Sequence, residues 1–320
     1  MGLSLLVAMP ALNEEATVGD VIAAVPREIP GIASVEILVV DDGSTDRTGD
    51  IARTNGAAVL RHRSPRGVGA AFHSALAYGI QRQADLIVTI DSDGQFDPGG
   101  IPFLVAPVVA GEAEFTTASR FKDPNLVPRM PRIKRWGNRM MSRLVSRLAG
   151  ETYFDVSCGM RCYSRRAALH LNLFGRFTYT QEVFLNLVFK QLRIVEIPLA
   201  VRGERLFGES RVASNLWRYA VQTSRIIFRS YRDYHPMRFF GWIAAGLITP
   251  AVGLGAFLFA HYLRTATFSP YKWTGFAAAG LLILAVLVLQ VGLVGDLLNR
   301  HRVYLEEMLY RLRDQGRPPS

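Results

Sequence analysis

Cysteine is almost missing from this 320-residue chain; Cys158 and Cys162 are the only two. A lone C-x₃-C pair with no second Cys/His cluster lacks the spacing of a zinc site. Two thiols make no disulfide framework either, so both read as reduced structural residues on a cytosolic face. His73, His170, His235, His261 and His301 show no ligand spacing. No G-x-x-x-x-G-K-[ST] loop occurs, which disfavours a P-loop phosphotransferase. The amino-terminal run from Met1 to Met9 has no basic residue, so it reads as a buried first strand and not as a signal peptide. Internal repeats and low-complexity tracts are absent.

Apolar residues, in contrast, are plentiful. They make up 49% of the chain, and mean hydropathy is +0.16. That is high for a soluble enzyme and low for a polytopic carrier, as expected of one large domain with a few membrane spans. Two runs, about 239–263 and about 274–295, hold no Asp, Glu, Lys or Arg and are long enough to cross a bilayer. Pro250 and several glycines interrupt the first, which spans tolerate. Arg225, Arg229, Arg232 and Arg238 precede the pair, Arg300, Arg302, Arg311 and Arg313 follow it, and the loop between carries Arg264 and Lys272. The positive-inside rule then places both termini in the cytoplasm. Between 212 and 236, Leu216, Trp217, Ala220, Ile227, Phe228 and Tyr231 recur at helical spacing among arginines, the pattern of an amphipathic interface helix. The expected layout is a catalytic domain over 1–211, an interface helix over 212–236, two transmembrane helices within 237–298, and a basic cytoplasmic tail over 299–320. Net charge of +10 points to phosphates, anionic lipid or nucleic acid; clustering beside the spans favours membrane over nucleic acid.

The first two hundred residues alternate strand and helix patterns. Leu5–Met9, Val35–Val40, Ala57–Arg61 and Leu86–Ile90 predict strands; 14–25, 46–54, 68–83 and 98–110 predict helices. Repeated β-α-β with apolar strands implies an α/β fold with a mostly parallel sheet covered on both faces. Ligands in such sheets bind at the carboxyl ends of the strands. Three acidic clusters stand there: Pro10-Ala11-Leu12-Asn13-Glu14-Glu15, Asp41-Asp42-Gly43-Ser44-Thr45-Asp46, and Asp91-Ser92-Asp93-Gly94-Gln95. Asp46 serves equally as a helix cap. Asp91 and Asp93 offer hard oxygen ligands at close range, as Mg²⁺ or Mn²⁺ prefers when it also binds substrate phosphates. Arg66-Gly67-Val68-Gly69 opens a helix and could aim backbone amides at a ligand.

Together these blocks resemble family-two glycosyltransferases of the GT-A fold. Ser119-Arg120-Phe121, Asp155-Val156-Ser157-Cys158-Gly159-Met160-Arg161 and Arg205-Leu206-Phe207-Gly208-Glu209-Ser210-Arg211 narrow the similarity to the dolichyl/polyprenyl-phosphate mannose or glucose synthase branch, over about residues 3 to 235. The resemblance implies transfer of a hexose from GDP or UDP to polyprenyl phosphate. In it Pro10, Leu12, Asn13, Glu14, Asp41, Asp42, Gly69, Asp91 and Ser92 bind the nucleotide-sugar. Asp91, Asp93 and Gln95 hold Mg²⁺ or Mn²⁺. Arg120, Arg135, Arg205, Ser210 and Arg211 hold the acceptor phosphate, and Asp155, Asp93, Arg120 and Glu182 are the catalytic set. Asp155 matches an acid proposed as catalytic in relatives; because a phosphate acceptor needs no strong base, an orienting role suits it better. Arg211 stands where lysine is usual, which adds a bidentate fork.

Two rivals remain. Arg132-Ile133-Lys134-Arg135-Trp136 resembles the Q-x-x-R-W box of processive polysaccharide synthases, but has Arg for Gln and precedes the Thr180-Gln181-Glu182 block; residues 132–147 read instead as a basic helix near the acceptor. A family-two enzyme with another lipid or polysaccharide acceptor would keep that box or more spans. A catalytically inactive scaffold homologue would not need Asp91, Asp93, Asp155 and Arg205 intact. Small-residue patterns such as Gly253 and Gly255 permit span packing and a homo-oligomer.

Overall fold

The computed structural model describes residues 2–172, 180–202, 225, 228, 229 and 231–315, with Lys134 given by its backbone alone. These residues fall into two compact units: Phe228–Met308 forms one, and the remaining described residues, Leu309 onward included, form the other.

The first unit is built on seven strands: β1 (Leu3–Ala11), β2 (Ile32–Asp41), β3 (Ala58–Arg61), β4 (Leu86–Thr89), β5 (Phe115–Ser119), β6 (Arg161–Ser164) and β7 (Ile194–Pro198). They form one sheet in the order β3-β2-β1-β4-β6-β5-β7. All pairs are parallel except those of β6, which runs against both β4 and β5. The expected mostly parallel α/β sheet is therefore present. Alternation along β1 explains the two covering layers. Leu6 and Ala8 join Leu38 and Val40 under α3 (Val68–Gln81), α6 (Arg165–His170) and α7 (Thr180–Phe189). Leu5, Val7 and Met9 join Ile37 and Val39 under α1 (Val18–Ala23), α2 (Thr48–Thr54) and α4 (Ile101–Val109). Large side chains such as Phe72, Phe115 and Phe184 are essentially water-free; each buried side chain of this size contributes about 1.5–3 kcal/mol.

The helix expected over 14–25 begins four residues later, at Val18. Asn13 sits in the left-handed region at φ 55°, and the amides of Glu14 and Glu15 are taken by Thr48 Oγ1 and the Asp46 carboxylate across the rim. Side chains of the next loop thus outcompete the first helical turn. Asp46 also accepts from the Thr48 amide at 3.0 Å, so it caps α2 and braces the first loop together.

The end of the chain's last helix belongs to this unit. Tyr310 stacks on His170 with centroids 4.4 Å apart, Arg313 donates to the Leu169 and Leu171 carbonyls at 3.1 and 3.2 Å, and Asp314 pairs with Arg165 at 3.5 Å. Arg313→Ala should therefore lower the melting temperature of this unit by roughly 2–4 °C, the loss of charge-assisted bonds worth about 1 kcal/mol. Differential scanning fluorimetry of the full chain reads this directly.

The second unit holds α8 (Pro236–Thr265) and α9 (Lys272–Asp314) as far as Met308; their apolar windows have mean hydropathy 2.0 and 2.6, of which 11% and 17% is buried. Both are long and apolar enough to cross a membrane. Core helices would hide such faces; here Trp242 and Trp273 are 76% and 62% exposed. Small residues dominate the helix–helix contact: Ala244, Ala251, Ala278, Ala285 and Gly292 are buried along with Pro236 and Thr274, and a Cβ on Gly292 would stand 3.0 Å from that of Phe240. Gly253 and Gly255, singled out from sequence, meet nothing within 4 Å and take no part in it. The helix that carries the second apolar run continues past 295 to Asp314, through most of the expected tail. Of the expected interface helix over 212–236, only residue 225 and several from 228 onward lie within the described residues.

Candidate active site

Sheet polarity gathers the site. β5 and β7 run parallel to β4 in direction, so their carboxyl ends share its rim, while β6 presents its amino end there. Register makes the alignment close: Ala11 pairs with Asp41, Asp41 with Arg61, Thr89 with Arg161, and Ser119 with Pro198. The segments after β1, β2, β3, β4, β5 and β7, and the segment before β6, therefore converge.

The first three are laced together. Asn13 Oδ1 accepts from the Thr45 amide at 2.8 Å, and its own amide donates to Ser44 Oγ at 3.0 Å. Asp41 is fully buried; its Oδ1 accepts from the Ser44 amide at 2.7 Å and its Oδ2 lies 3.3 Å from Arg61 Nε. Gly43 holds φ 82° where a Cβ would meet the backbone of Ser64 and Pro65 at 2.9 Å, so only glycine lets the two loops approach this closely. Asp42 accepts from the amides of Arg66 and Gly67 at 2.9 and 2.8 Å and lies 2.6 Å from His62 Nδ1. His62 Nε2 in turn sits 2.9 Å from Ser74 Oγ. Asp42 thereby fixes the loop into α3, whose first turn carries Gly69. His62 escaped the sequence reading, although its place directly after β3 marks it.

The third acidic cluster is anchored to the first. Ser92 Oγ donates to the Pro10 carbonyl at 2.8 Å, and Thr17 donates to the Ser92 carbonyl at 2.7 Å. Asp93 is buried and its Oδ1 accepts from the Gln95 amide at 3.0 Å. Asp91 is half-buried against Gly159, where a Cβ would stand 2.7 Å from Asp91 Oδ2. Thr89 Oγ1 pins that glycine's carbonyl at 3.0 Å. Gly159→Ala should therefore displace the Asp91 carboxylate and cost about 10²-fold in metal-dependent turnover. The melting temperature should stay unchanged, and steady-state rates beside thermal melts check both halves. Gln95 lines a cavity of about 550 Å³ with Thr17, Asp20, Asp97 and Arg202, to which Asp91 and Asp93 do not contribute.

The donor set fits a hard divalent cation. Asp91 and Asp93 supply carboxylate oxygens, and among the described residues no group of three or more His, Cys, Asp or Glu gathers into a self-sufficient metal cage. Such a pair leaves coordination positions for diphosphate oxygens and water.

Across the rim Arg120 and Asp155 form a closed fork. Arg120 Nε donates to Asp155 Oδ2 at 2.6 Å and Nη2 to Oδ1 at 2.8 Å, with the Arg120 amide adding a third bond at 3.1 Å. Asp155 is fully buried and Arg120 17% exposed. Ser157 bonds both partners. Glu196 on β7 holds the Asp155 backbone, accepting from its amide at 2.7 Å; burial pushes the Glu196 carboxyl up, against the bonds from the Phe154 and Asp155 amides. Arg161, also fully buried, donates to the carbonyls of Val156, Cys158 and Thr180 at 2.9, 2.7 and 2.9 Å, tying this loop to the start of α7.

The remaining expectations fare differently. Glu182 lies half-buried in the first turn of α7, close enough to His73 to oppose the lowering that burial imposes on that imidazole, while Arg313 adds to the lowering. Arg135 is exposed on the first turn of α5 (Arg132–Ala149). Arg205, Ser210 and Arg211 lie outside the described residues.

A seven-stranded sheet with one reversed strand, acid pairs after β2 and β4, and an arginine fork after β5 define a nucleotide-sugar-handling α/β transferase of GT-A type. The family model for glycosyl transferase family 2 matches residues 6–171, and the chain belongs to that family. It is 31% identical over 208 residues to a dolichyl-phosphate hexose transferase of Haloferax volcanii, covering 65% of this chain and 86% of that one. It is 27% identical over 211 residues to a UDP-N-acetylglucosamine–dolichyl-phosphate N-acetylglucosaminyltransferase of Methanococcus voltae, covering 60% and 82%. Among solved structures, glucosyl-3-phosphoglycerate synthase of Mycobacterium tuberculosis in complex with Mn²⁺, UDP-glucose and phosphoglyceric acid has the same fold, with a TM-score of 0.58 at 24% identity over 72% of this chain and 80% of that one.

Proposed function

We propose that this glycosyltransferase moves a hexose, mannose or glucose, from a GDP- or UDP-sugar to polyprenyl or dolichyl phosphate, at the cytoplasmic face of a membrane that α8 and α9 span. The observation that carries the reading is the pairing of a two-carboxylate cluster (Asp91, Asp93) with a carboxylate-locked arginine (Arg120) on one rim, in a chain with two membrane-compatible helices. The dolichyl-phosphate acceptors in the names of the relatives support it.

The chemistry matches these residue types. The acceptor is a phosphate monoester with a second pKa near about 6, already largely an oxyanion at neutral pH. The reaction must therefore position two mutually repelling anions more than it must remove a proton. Arginines suit the first task through paired bonds to phosphate. Mg²⁺ or Mn²⁺ held by Asp91 and Asp93, with Gln95 beside them, would stabilise charge on the departing diphosphate. Pro10, Leu12, Asn13, Glu14 and Asp41 line the nucleotide end, with Asp42, Ser92 and Gly69 fixing its walls. Asp155 acts as a positioning residue for Arg120. Arg205, Ser210 and Arg211 join the acceptor phosphate. A single displacement at the anomeric carbon inverts configuration, so an α-linked donor yields a β-linked product.

The test is a transfer assay with the full chain in detergent, undecaprenyl or dolichyl phosphate, and Mg²⁺ or Mn²⁺. GDP-mannose, UDP-glucose and UDP-N-acetylglucosamine are compared, with Asp93→Ala as the blank. A lipid-linked sugar absent from the blank is the expected result. Nucleotide binding without lipid glycosylation would remove the acceptor assignment and leave the family.

A further inference from the structure

Helix α5 has three faces where a surface helix needs two. Asn138, Met141, Ser142, Val145 and Leu148 point inward, with Val145 fully buried and Ser142 3% exposed. At about 100° per residue, Arg132, Arg135, Arg139 and Arg143 fall on a second face and Arg147 on the border it shares with the third, all exposed. The third face is apolar and points to water. Ile133, Trp136, Met140 and Leu144 are 62%, 62%, 52% and 38% exposed and form a stripe about 80° wide. Isolated exposed apolar residues need no explanation, but a contiguous stripe on a helix does. No acidic residue occurs anywhere in Arg132–Ala149.

We propose that α5 docks on the anionic surface of the bilayer, with Ile133, Trp136, Met140 and Leu144 sunk among the acyl-chain boundary and the arginines against lipid phosphates. This deepens the lipid-acceptor reading and rests on it. Charge chooses the occupant: a purely basic flank beside an apolar stripe complements anionic headgroups over hydrocarbon, and each basic residue near such a surface adds about 1 kcal/mol of attraction. A second copy of α5 would instead bring two arginine rows together.

The inner face gives the docking a consequence. Ser142 Oγ donates to the Phe154 carbonyl at 3.0 Å, Ser146 Oγ accepts from the Tyr153 amide at 2.9 Å, and Asn138 Oδ1 accepts from Ser157 Oγ at 3.0 Å. These bonds hold the 153–157 loop that carries Asp155. The helix that rests on the lipid surface is thus the one that braces the Arg120–Asp155 fork, so the depth of α5 sets where an acceptor phosphate meets Arg120.

The test uses the full chain in vesicles of phosphatidylcholine with phosphatidylglycerol. Native Cys158 and Cys162 are buried, so a polarity-sensitive thiol dye reports an introduced cysteine. Met140→Cys is compared with Glu28→Cys, an exposed site beyond α1. The expected result is blue-shifted emission, quenched by nitroxide-labelled acyl chains, at 140 and not at 28. Water-like emission at 140 overturns the proposal. So does a blue shift that acyl-chain nitroxides do not quench, which would mean protein covers the stripe. As a second readout, Trp136→Glu should raise KM for the lipid acceptor at least about tenfold, as loss of a buried aromatic implies, with KM for the donor unchanged. An equal loss in both constants overturns the docking role. Failure of transfer with any lipid acceptor would sink the function proposed above, while the dye measurement would still decide this one.

Discussion

Asp155→Asn should lower transfer by about 10²- to 10³-fold while leaving the shape of the pH–rate profile unchanged. The reason is the saturation of this carboxylate. It has no exposed surface, and its oxygens already receive the Arg120 guanidinium, the Arg120 amide and Ser157. A general base must reach the proton it takes, and this one is fully engaged in holding a cation. Removing its charge releases Arg120 from the geometry in which it would meet phosphate. The harsher Asp155→Ala also leaves the half-sequestered guanidinium without its carboxylate counter-charge, which costs about 3–5 kcal/mol of stability. Arg120→Lys restores charge but not the fork, so it should fall between wild type and Asp155→Asn. Initial rates from pH 5 to 9 decide the matter. Loss of an acidic limb in Asp155→Asn would identify Asp155 as a proton acceptor and overturn the positioning role.

Much of this site was legible because the four amino-terminal strands alternate cleanly with helices. The rule that ligands lie at strand carboxyl ends then pointed straight to Pro10–Glu14, Asp41–Asp46 and Asp91–Gln95. The same rule, applied after β3, reaches His62, but its partner Asp42 lies twenty residues back and no carboxylate stands nearby in sequence to mark it. The second half of the sheet resisted reading for a different reason. Phe115–Ser119, Arg161–Ser164 and Ile194–Pro198 are short, and the reversed β6 breaks the β-α alternation that gives parallel strands their signature. Arg161 opens a strand whose first three residues are buried, yet a cation there reads as solvent-facing until three carbonyls are found around it. In α5 the difficulty was periodicity itself. Inward and outward apolar residues repeat with the same 3.6-residue period, so the pattern declares a helix without revealing that one stripe is exposed.

The rim joins two kinds of anion control that share little chemistry. One side has fixed carboxylates, which repel phosphate unless a cation intervenes. The other has an arginine whose own charge is already half-neutralised by Asp155. An arginine in that state attracts phosphate less than a free one but directs it better, because the carboxylate fixes the plane of its fork. A site so built would discriminate by placement, as the proposed phosphate acceptor, charged before it arrives, requires.

The carboxylate side yields the largest loss expected. Asp93→Ala should reduce transfer by about 10³-fold or more, since a metal at a departing diphosphate supplies several kcal/mol of charge stabilisation. It should also abolish the enhancement of nucleotide binding by Mn²⁺. Asp93 contributes twice: its buried carboxylate faces the rim, and its Oδ1 also fixes the Gln95 amide at 3.0 Å. Asp91→Ala removes a carboxylate without disturbing that turn, because Asp91 is half-buried and lies against the backbone of Gly159. The two variants should therefore separate. Both should lose metal dependence, but Asp93→Ala alone should also lower the melting temperature, by about 2–4 °C, as loss of one internal hydrogen bond implies. Isothermal titration of GDP and UDP, with and without Mn²⁺, reads the first effect, and thermal melts of both variants read the second. If Asp93→Ala keeps a Mn²⁺-dependent gain in nucleotide affinity, the two-carboxylate cation site is wrong, and the carboxylates after β4 must serve the sugar hydroxyls instead.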